Sequence, residues 1–230
     1  MAPLGANYVG VDIAAGPGVD IVLDDPHVLP FADGSFSAVV STSCFEHDGM
    51  FWLSFLEALR VVAEGGYVYV SAPSNGWYHR HPRDCWRFYP DCGLSLVEWA
   101  HHQGVAAQLV ESFTARRASD VWNDAVMVFC KGEERTPKSR ISDALPHAMN
   151  VRRAGNIESV SNQCDRTEDM QIIRTLIETV RQRDKTIAEL KQMVVECHTA
   201  IDTHVAHLNR ARSAAALRDS QIGVQDFAAD

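Results

Sequence analysis

The chain has 230 residues, a formal net charge of -9, 46% hydrophobic and 22% charged residues, which is ordinary composition for a globular protein of one or two domains. The charge is uneven: residues 1–130 carry 15 Asp/Glu against 6 Lys/Arg, and the remaining hundred are balanced at 15 against 15. An acidic N-terminal portion argues against nucleic acid as a partner, since neutralising phosphates needs clustered Lys and Arg. Six cysteines without a CxxC pair argue against a disulfide framework or structural zinc and favour a reducing, cytoplasmic setting. MAPLGANYVG has no basic and apolar leader pattern, and no apolar run reaches membrane-spanning length, so no membrane partner is expected.

In chain order, Tyr8–Ile13, Val19–Leu23 and Ser37–Ser43 read as short strands, and each runs into polar residues: Asp12, then Asp24-Asp25, then Cys44-Phe45-Glu46-His47. Beyond the carboxyl ends of such strands, open α/β sheets bind their ligands. Gly49–Ala63 places Phe51, Phe55, Leu59 and Val62 at helical spacing, and Gly65-Gly66 is expected to stop that helix. Tyr67–Ala72 is a further strand ended by Pro73. Pro73–Pro90, PSNGWYHRHPRDCWRFYP, is too rich in proline, charge and aromatics for a regular element and leaves the same edge as a candidate lid or substrate loop.

Asp91–Gln103 reads as a helix opened by an acidic cap, and Ala107–Thr114 and Ala125–Lys131 as two more strands. The alternation up to Lys131 predicts an α/β domain over 1–131 with a mostly parallel sheet and a possible antiparallel end. Residues 132–165 lose periodicity and read as a flexible linker. Over 166–217, Ile173, Leu176, Val180, Ile187, Leu190, Val194, Cys197, Ile201 and Leu208 fall on alternating steps of three and four, broken only by Arg183 and His204. This predicts a coiled-coil helix; β-branched a positions with Leu at d favour a parallel homodimer, and a single helix folded back on the domain is the alternative. Residues 218–230 read as a disordered tail.

The order GVDI, DxxxLPFADGSFSAVVS, FEH and EALRVVAEGGYVYVSAP resembles the type 11 branch of class I S-adenosylmethionine-dependent methyltransferases over about Ala6–Lys131. The resemblance implies a Rossmann-like methyltransferase sheet with S-adenosylmethionine as cofactor. Asp12 would hold the ribose hydroxyls beside Ile13, Asp25 and Pro26 would meet the adenine, and Ser43 would line the sulfonium side. Pro26 removes a backbone N–H that the family normally offers to adenine, a role Asp25 N–H would take with a shifted register. The HxPxDxWRF loop is similar to that of members associated with saccharide modification, which implies O-methyl transfer to a small or saccharide acceptor.

The family's first strand and glycine-rich turn are expected before Tyr8, where only MAPLGAN stands; Gly16–Gly18 follows the ribose acid and is no substitute. An N-terminally truncated domain is therefore expected, and a catalytically inactive remnant that works through coiled-coil assembly is the rival reading. Candidate general bases are His47, His79 and Asp84, with His81 also in the loop. His79, His81 and Cys85 match no zinc spacing, so no metal is expected.

Overall fold

The computed structural model describes residues 5, 7–117, 122–133 and 137–225, and it forms two units, 1–168 and 169–230. The segment before Tyr8 lies largely outside the described residues. The first unit is a mixed α/β fold. Its elements are β1 (Val11–Asp12), β2 (Ile21–Val22), β3 (Phe36–Thr42), α1 (Phe51–Val61), β4 (Val62–Pro73), α2 (Cys92–His102), β5 (Ala107–Thr114), β6 (Asp124–Lys131) and β7 (Met149–Arg153).

These strands make two sheets. β1 and β2 pair in parallel on their own, and the second sheet has the order β3-β4-β6-β5-β7. Among the described residues no strand pairs with the outer edge of β3, and Val40 on that strand is 67% exposed. With only one ladder partner each, β1 and β2 keep two residues of strand geometry out of the longer runs expected.

A mostly parallel sheet is not what forms. β3–β4 is parallel, while β4–β6, β6–β5 and β5–β7 are antiparallel. The chain between Thr114 and Asp124 is too short for the crossover that a parallel β5–β6 pair would need. Central β4 and β6 bury Val68, Val70, Ala72, Met127 and Phe129, while α1 adds Phe55 and Leu59 to the same core and α2 adds Leu96 and Ala100.

The two glycines after α1 lie inside β4 and do not end the helix. Gly65 has φ of 74°, and a Cβ on Gly66 would stand 2.7 Å from the Ser37 carbonyl oxygen. Between the pairs Phe36–Val62 and Ala38–Tyr67 the register shifts, so the glycines form a bulge where β4 closes on β3. The LPF segment is held down by α1: Arg60 donates to the Leu29 and Phe31 carbonyls at 2.9 and 2.8 Å and to Glu57 and Asp33, while Glu57 accepts from Leu29 N–H at 2.9 Å. That clamp fixes where the chain leaves β2 and enters β3.

The described residues of 132–165 contain β7, paired with the outer edge of β5, and a 3-10 turn at Ile141–Asp143, so where a flexible linker was expected 149–153 complete the sheet. The cause is one buried acid. Glu111 on β5, 1% exposed, accepts from Ile141 N–H at 2.7 Å, Ser142 N–H at 3.1 Å and Ser142 Oγ at 2.5 Å. Asp91, expected to cap α2, makes no side-chain cap bond and instead accepts from Arg152 Nε of β7 at 2.8 Å.

The second unit is the helix α3 (Glu168–Gln225), which runs through the first part of the tail expected to be disordered; residues 226–230 lie outside the described residues. Ile173, Leu176, Val180, Ile187, Leu190, Val194, Ile201 and Leu208 are all exposed along it. No described helix is long and apolar enough to cross a membrane.

Candidate functional site

The acids expected to meet a nucleoside stand at the exits of β1 and β2. Asp12 is exposed; its Oδ1 accepts from Ala14 N–H at 3.0 Å and its other oxygen has no partner among the described residues. Ile13 follows it, half exposed. The Asp25-Pro26-His27 turn closes with His27 N–H donating to Asp25 Oδ1 at 2.9 Å, and His27 Nε2 lies 2.9 Å from Asp48 Oδ1. The β2 exit is thereby tied to the turn that follows β3.

That turn begins at Ser43, whose φ of 48° is in the left-handed region, with its N–H donating to the Ser71 carbonyl of β4 at 2.9 Å. Cys44 comes next. The protein around its sulfur pushes the thiol up to about 11 although the residue as a whole is exposed; the Ser41 hydrogen bond opposes this, and Asp48, Glu46 and Asp12 add to it. Asp12 thus shares an electrostatic neighbourhood with the β3 exit. Carboxylates there suit the hydroxyl-rich half of a nucleoside, since each free oxygen accepts an O–H. Among the described residues no glycine-rich turn precedes Asp12 to meet an amino-acid moiety.

The second half of the site is built from Glu46, His47 and the loop after β4. The loop is not a loose lid. Cys85 and Trp86 N–H both donate to the Glu46 carbonyl at 2.7 and 3.2 Å, Trp86 Nε1 donates to the Asp48 carbonyl at 2.9 Å, and Phe88 N–H donates to the Pro73 carbonyl at 2.9 Å. Phe88 packs in the core, whereas Trp77, Tyr78 and Tyr89 stay exposed. At the loop's start, Ser74 N–H donates to the Asn123 carbonyl at 2.7 Å, and Asn75 and Asn123 exchange hydrogen bonds of 2.6 and 2.9 Å.

His47 and His79 meet edge to face with ring centres 4.9 Å apart, and His81 lies 6.2 Å from His47. His79 also stacks on Trp122 at 4.8 Å. His47 Nδ1 hydrogen-bonds the Arg83 carbonyl, and its Nε2 is 3.6 Å from Glu46 Oε1. A ring nitrogen facing a carbonyl must carry the proton, so in the neutral ring Nε2 holds the free lone pair.

Asp84 is brought to the same place but is fully engaged. Its carboxylate, 2% exposed, receives both Arg87 amino groups at 2.5 and 2.9 Å and His79 N–H at 2.7 Å. The Arg87 guanidinium holds it well below the usual carboxylate range. A group so poised positions His79 and takes up no proton near neutral pH. Glu46 is the site residue that the spacing of motifs does not single out. It is 1% exposed, its Oε2 has no hydrogen-bond partner, and burial pushes its carboxyl up against the pull of its own backbone and of His47, His79 and Arg87. Within FEH it reads as a turn acid; only the docked loop makes it interior.

The family model described as "Methyltransferase domain" matches residues 1–70, the stretch that holds Asp12, Asp25, Ser43 and the Glu46-His47 turn. The resemblance to class I S-adenosylmethionine-dependent methyltransferases is shown there, and S-adenosylmethionine is the cofactor that goes with it. No curated protein matches the chain. Among solved structures, an S-adenosylmethionine-dependent methyltransferase from Methanosarcina mazei is 15% identical with a TM-score of 0.37, covering 55% of this chain and 82% of its own. The Burkholderia thailandensis 1,6-didemethyltoxoflavin-N1-methyltransferase, solved with 1,6-didemethyltoxoflavin and S-adenosylhomocysteine, is 16% identical with a TM-score of 0.41, covering 54% and 60%. The PH0226 protein from Pyrococcus horikoshii OT3 is 14% identical with a TM-score of 0.39, covering 56% and 73%. The chain thus spans three-fifths of the Burkholderia enzyme.

Proposed function

We propose that the first unit is an S-adenosylmethionine-dependent O-methyltransferase acting on a small or saccharide hydroxyl acceptor in the cytoplasm. The observation that carries this is Asp12: in the matched stretch, at a strand exit, one carboxylate oxygen closes its own turn and the other is left to accept from a ribose. Asp25, Pro26 and Ile13 would border the adenine, and Ser43 the sulfonium side. The cofactor supplies a methyl group made electrophilic by that sulfonium.

The chain's own task is then to remove the acceptor's proton and exclude water. His47 Nε2 takes the hydroxyl proton, because Nδ1 is committed to the Arg83 carbonyl and Glu46 stabilises the resulting imidazolium. His79, oriented by Asp84 and Trp122, flanks the acceptor, and exposed Trp77 and Tyr78 offer faces on which a sugar stacks. Among the described residues no disulfide joins the cysteines, which accords with a reducing compartment. Transfer of label from methyl-labelled S-adenosylmethionine to a panel of saccharide and small hydroxyl acceptors tests the reading. His47→Ala should abolish transfer without loss of cofactor binding; transfer at the parent rate by His47→Ala refutes the assigned base.

The second reading is a non-catalytic domain whose work is assembly through α3. The exposed apolar seam from Ile173 to Leu208 favours it, since a helix with such a stripe is stabilised by a partner. Both readings share the parallel homodimer through residues 166–217, and they part on cofactor binding.

A further inference from the structure

Glu46, His47 and His79 each offer one ligand atom, and the three atoms lie within 4.8 Å of one another. The sequence hides this trio because 31 residues separate the first two members from the third, and because the loop's other candidates, His81 and Cys85, draw attention to the wrong set. From these side chains we propose a binding site for one first-row divalent transition ion, of the zinc class, at the junction of the β3 exit and the loop after β4.

Three features of the site support it. The carboxylate of Glu46 is 1% exposed and its Oε2 has no partner, a state that costs a buried oxygen several hydrogen bonds' worth of solvation unless a cation or donor fills the gap. The Glu46 Oε1 to His47 Nε2 separation of 3.6 Å is close to the roughly 3.4 Å between two ligands that each stand about 2.1 Å from a tetrahedral zinc. Both imidazoles are set up as ligands from behind. His47 Nδ1 faces the Arg83 carbonyl, and His79 Nδ1 lies 3.4 Å from the Trp77 carbonyl and 3.5 Å from both Asp84 Oδ2 and Arg87 Nη2.

Two of those three neighbours of His79 are acceptors, and with the proton on Nδ1 facing them Nε2 is the ligand atom. A carbonyl or carboxylate behind each ligating ring is the usual outer support of a metal site. Two imidazoles with one carboxylate select zinc, cobalt, iron or nickel over magnesium and calcium, which prefer all-oxygen shells. Three protein ligands leave a coordination position for water or a substrate hydroxyl. Binding of the ion does not rest on methyl transfer, and an ion on His47 Nε2 occupies the lone pair that the proposed base uses, so the ion-bound ring and the proton-accepting ring are alternative states of the site.

The test uses the full chain, stripped with a chelator and titrated with zinc chloride by calorimetry and with cobalt chloride by visible absorption. About one ion per chain is expected, with a cobalt band that zinc erases. Glu46→Gln and His79→Ala should each abolish the band, and Asp84→Asn should weaken zinc about 10–100-fold. His81→Ala and a variant with His198, His204 and His207 of α3 all changed to Ala should bind as the parent does. His79→Ala sits in a surface loop and keeps the test decisive where Glu46→Gln fails to fold. No zinc heat and no cobalt band at millimolar ion would overturn the site, as would parent-like binding by His79→Ala or loss of binding in the α3 variant.

Discussion

Asp84→Asn removes one charge from the centre of the loop after β4 while keeping the side chain's size. In the parent, three hydrogen bonds of 2.5 to 2.9 Å converge on that carboxylate, two from Arg87 and one from the His79 backbone. The variant turns one acceptor oxygen into an NH2 group facing donors, and leaves the Arg87 guanidinium without a counter-charge. Removing one partner of a buried ion pair costs about 3–5 kcal/mol. Arg87 keeps 23% exposure and two further carbonyl partners, at Trp86 and Trp77, so the lower end, about 3 kcal/mol, is expected.

All 5 tryptophans lie in the first unit, so their fluorescence in a urea titration follows that unit and not α3. For a unit of this size the same loss lowers Tm by about 6–12 °C. The sign with pH is fixed by the depressed folded pKa of Asp84. Its contribution is present above the unfolded value, near 3.8, and is lost as pH falls from there through the folded value. The gap between parent and variant should therefore be constant above about pH 5 and close in stronger acid. A variant within about 0.5 kcal/mol of the parent at pH 7, or a gap that persists to the lowest pH at which the protein is folded, would refute the pairing.

Three other outcomes follow from the same geometry. Glu111→Ala should cost about 3 kcal/mol or more by stranding the Ile141 and Ser142 donors, and limited proteolysis should then cut within 132–165; continued protection of that segment would contradict the anchoring role. The Cys44 and Cys92 thiols, both pushed up to about 11 with burial as the leading cause, should alkylate slowly at pH 8 and about tenfold faster per pH unit until about 11, while rapid labelling at pH 8 would show that neither is shielded. Ile187→Asp with Val194→Asp should halve the mass seen in sedimentation, and an unaltered mass would reject the α3 seam.

How much of this was readable before folding depended on whether a residue's environment is local. Ala107–Thr114 matches its expected strand to the residue, because eight residues of alternating and apolar sequence fix β5 without help. Glycines 65 and 66 were legible as a break but not as a bulge, since that depends on Ser37 coming within reach. β7, MNVRR, carries two arginines and follows a polar stretch; it is a strand only because β5 presents a free edge and Glu111 grips the turn before it. At the site, Asp12 and His47 were visible as polar residues at strand exits. Glu46 was not, because its burial is created by Cys85 and Trp86 folding over it from 39 and 40 residues away.

Asp12 and the cofactor it would hold separate a methyltransferase from an assembly domain. Calorimetric titration of the full chain with S-adenosylmethionine measures this most directly, with Asp12→Ala beside it. One saturable binding event is expected in the parent and a marked loss of affinity in Asp12→Ala, where a carboxylate that accepts ribose hydroxyls is gone. No heat of binding at millimolar S-adenosylmethionine, or an affinity that Asp12→Ala leaves unchanged, would contradict this role for Asp12.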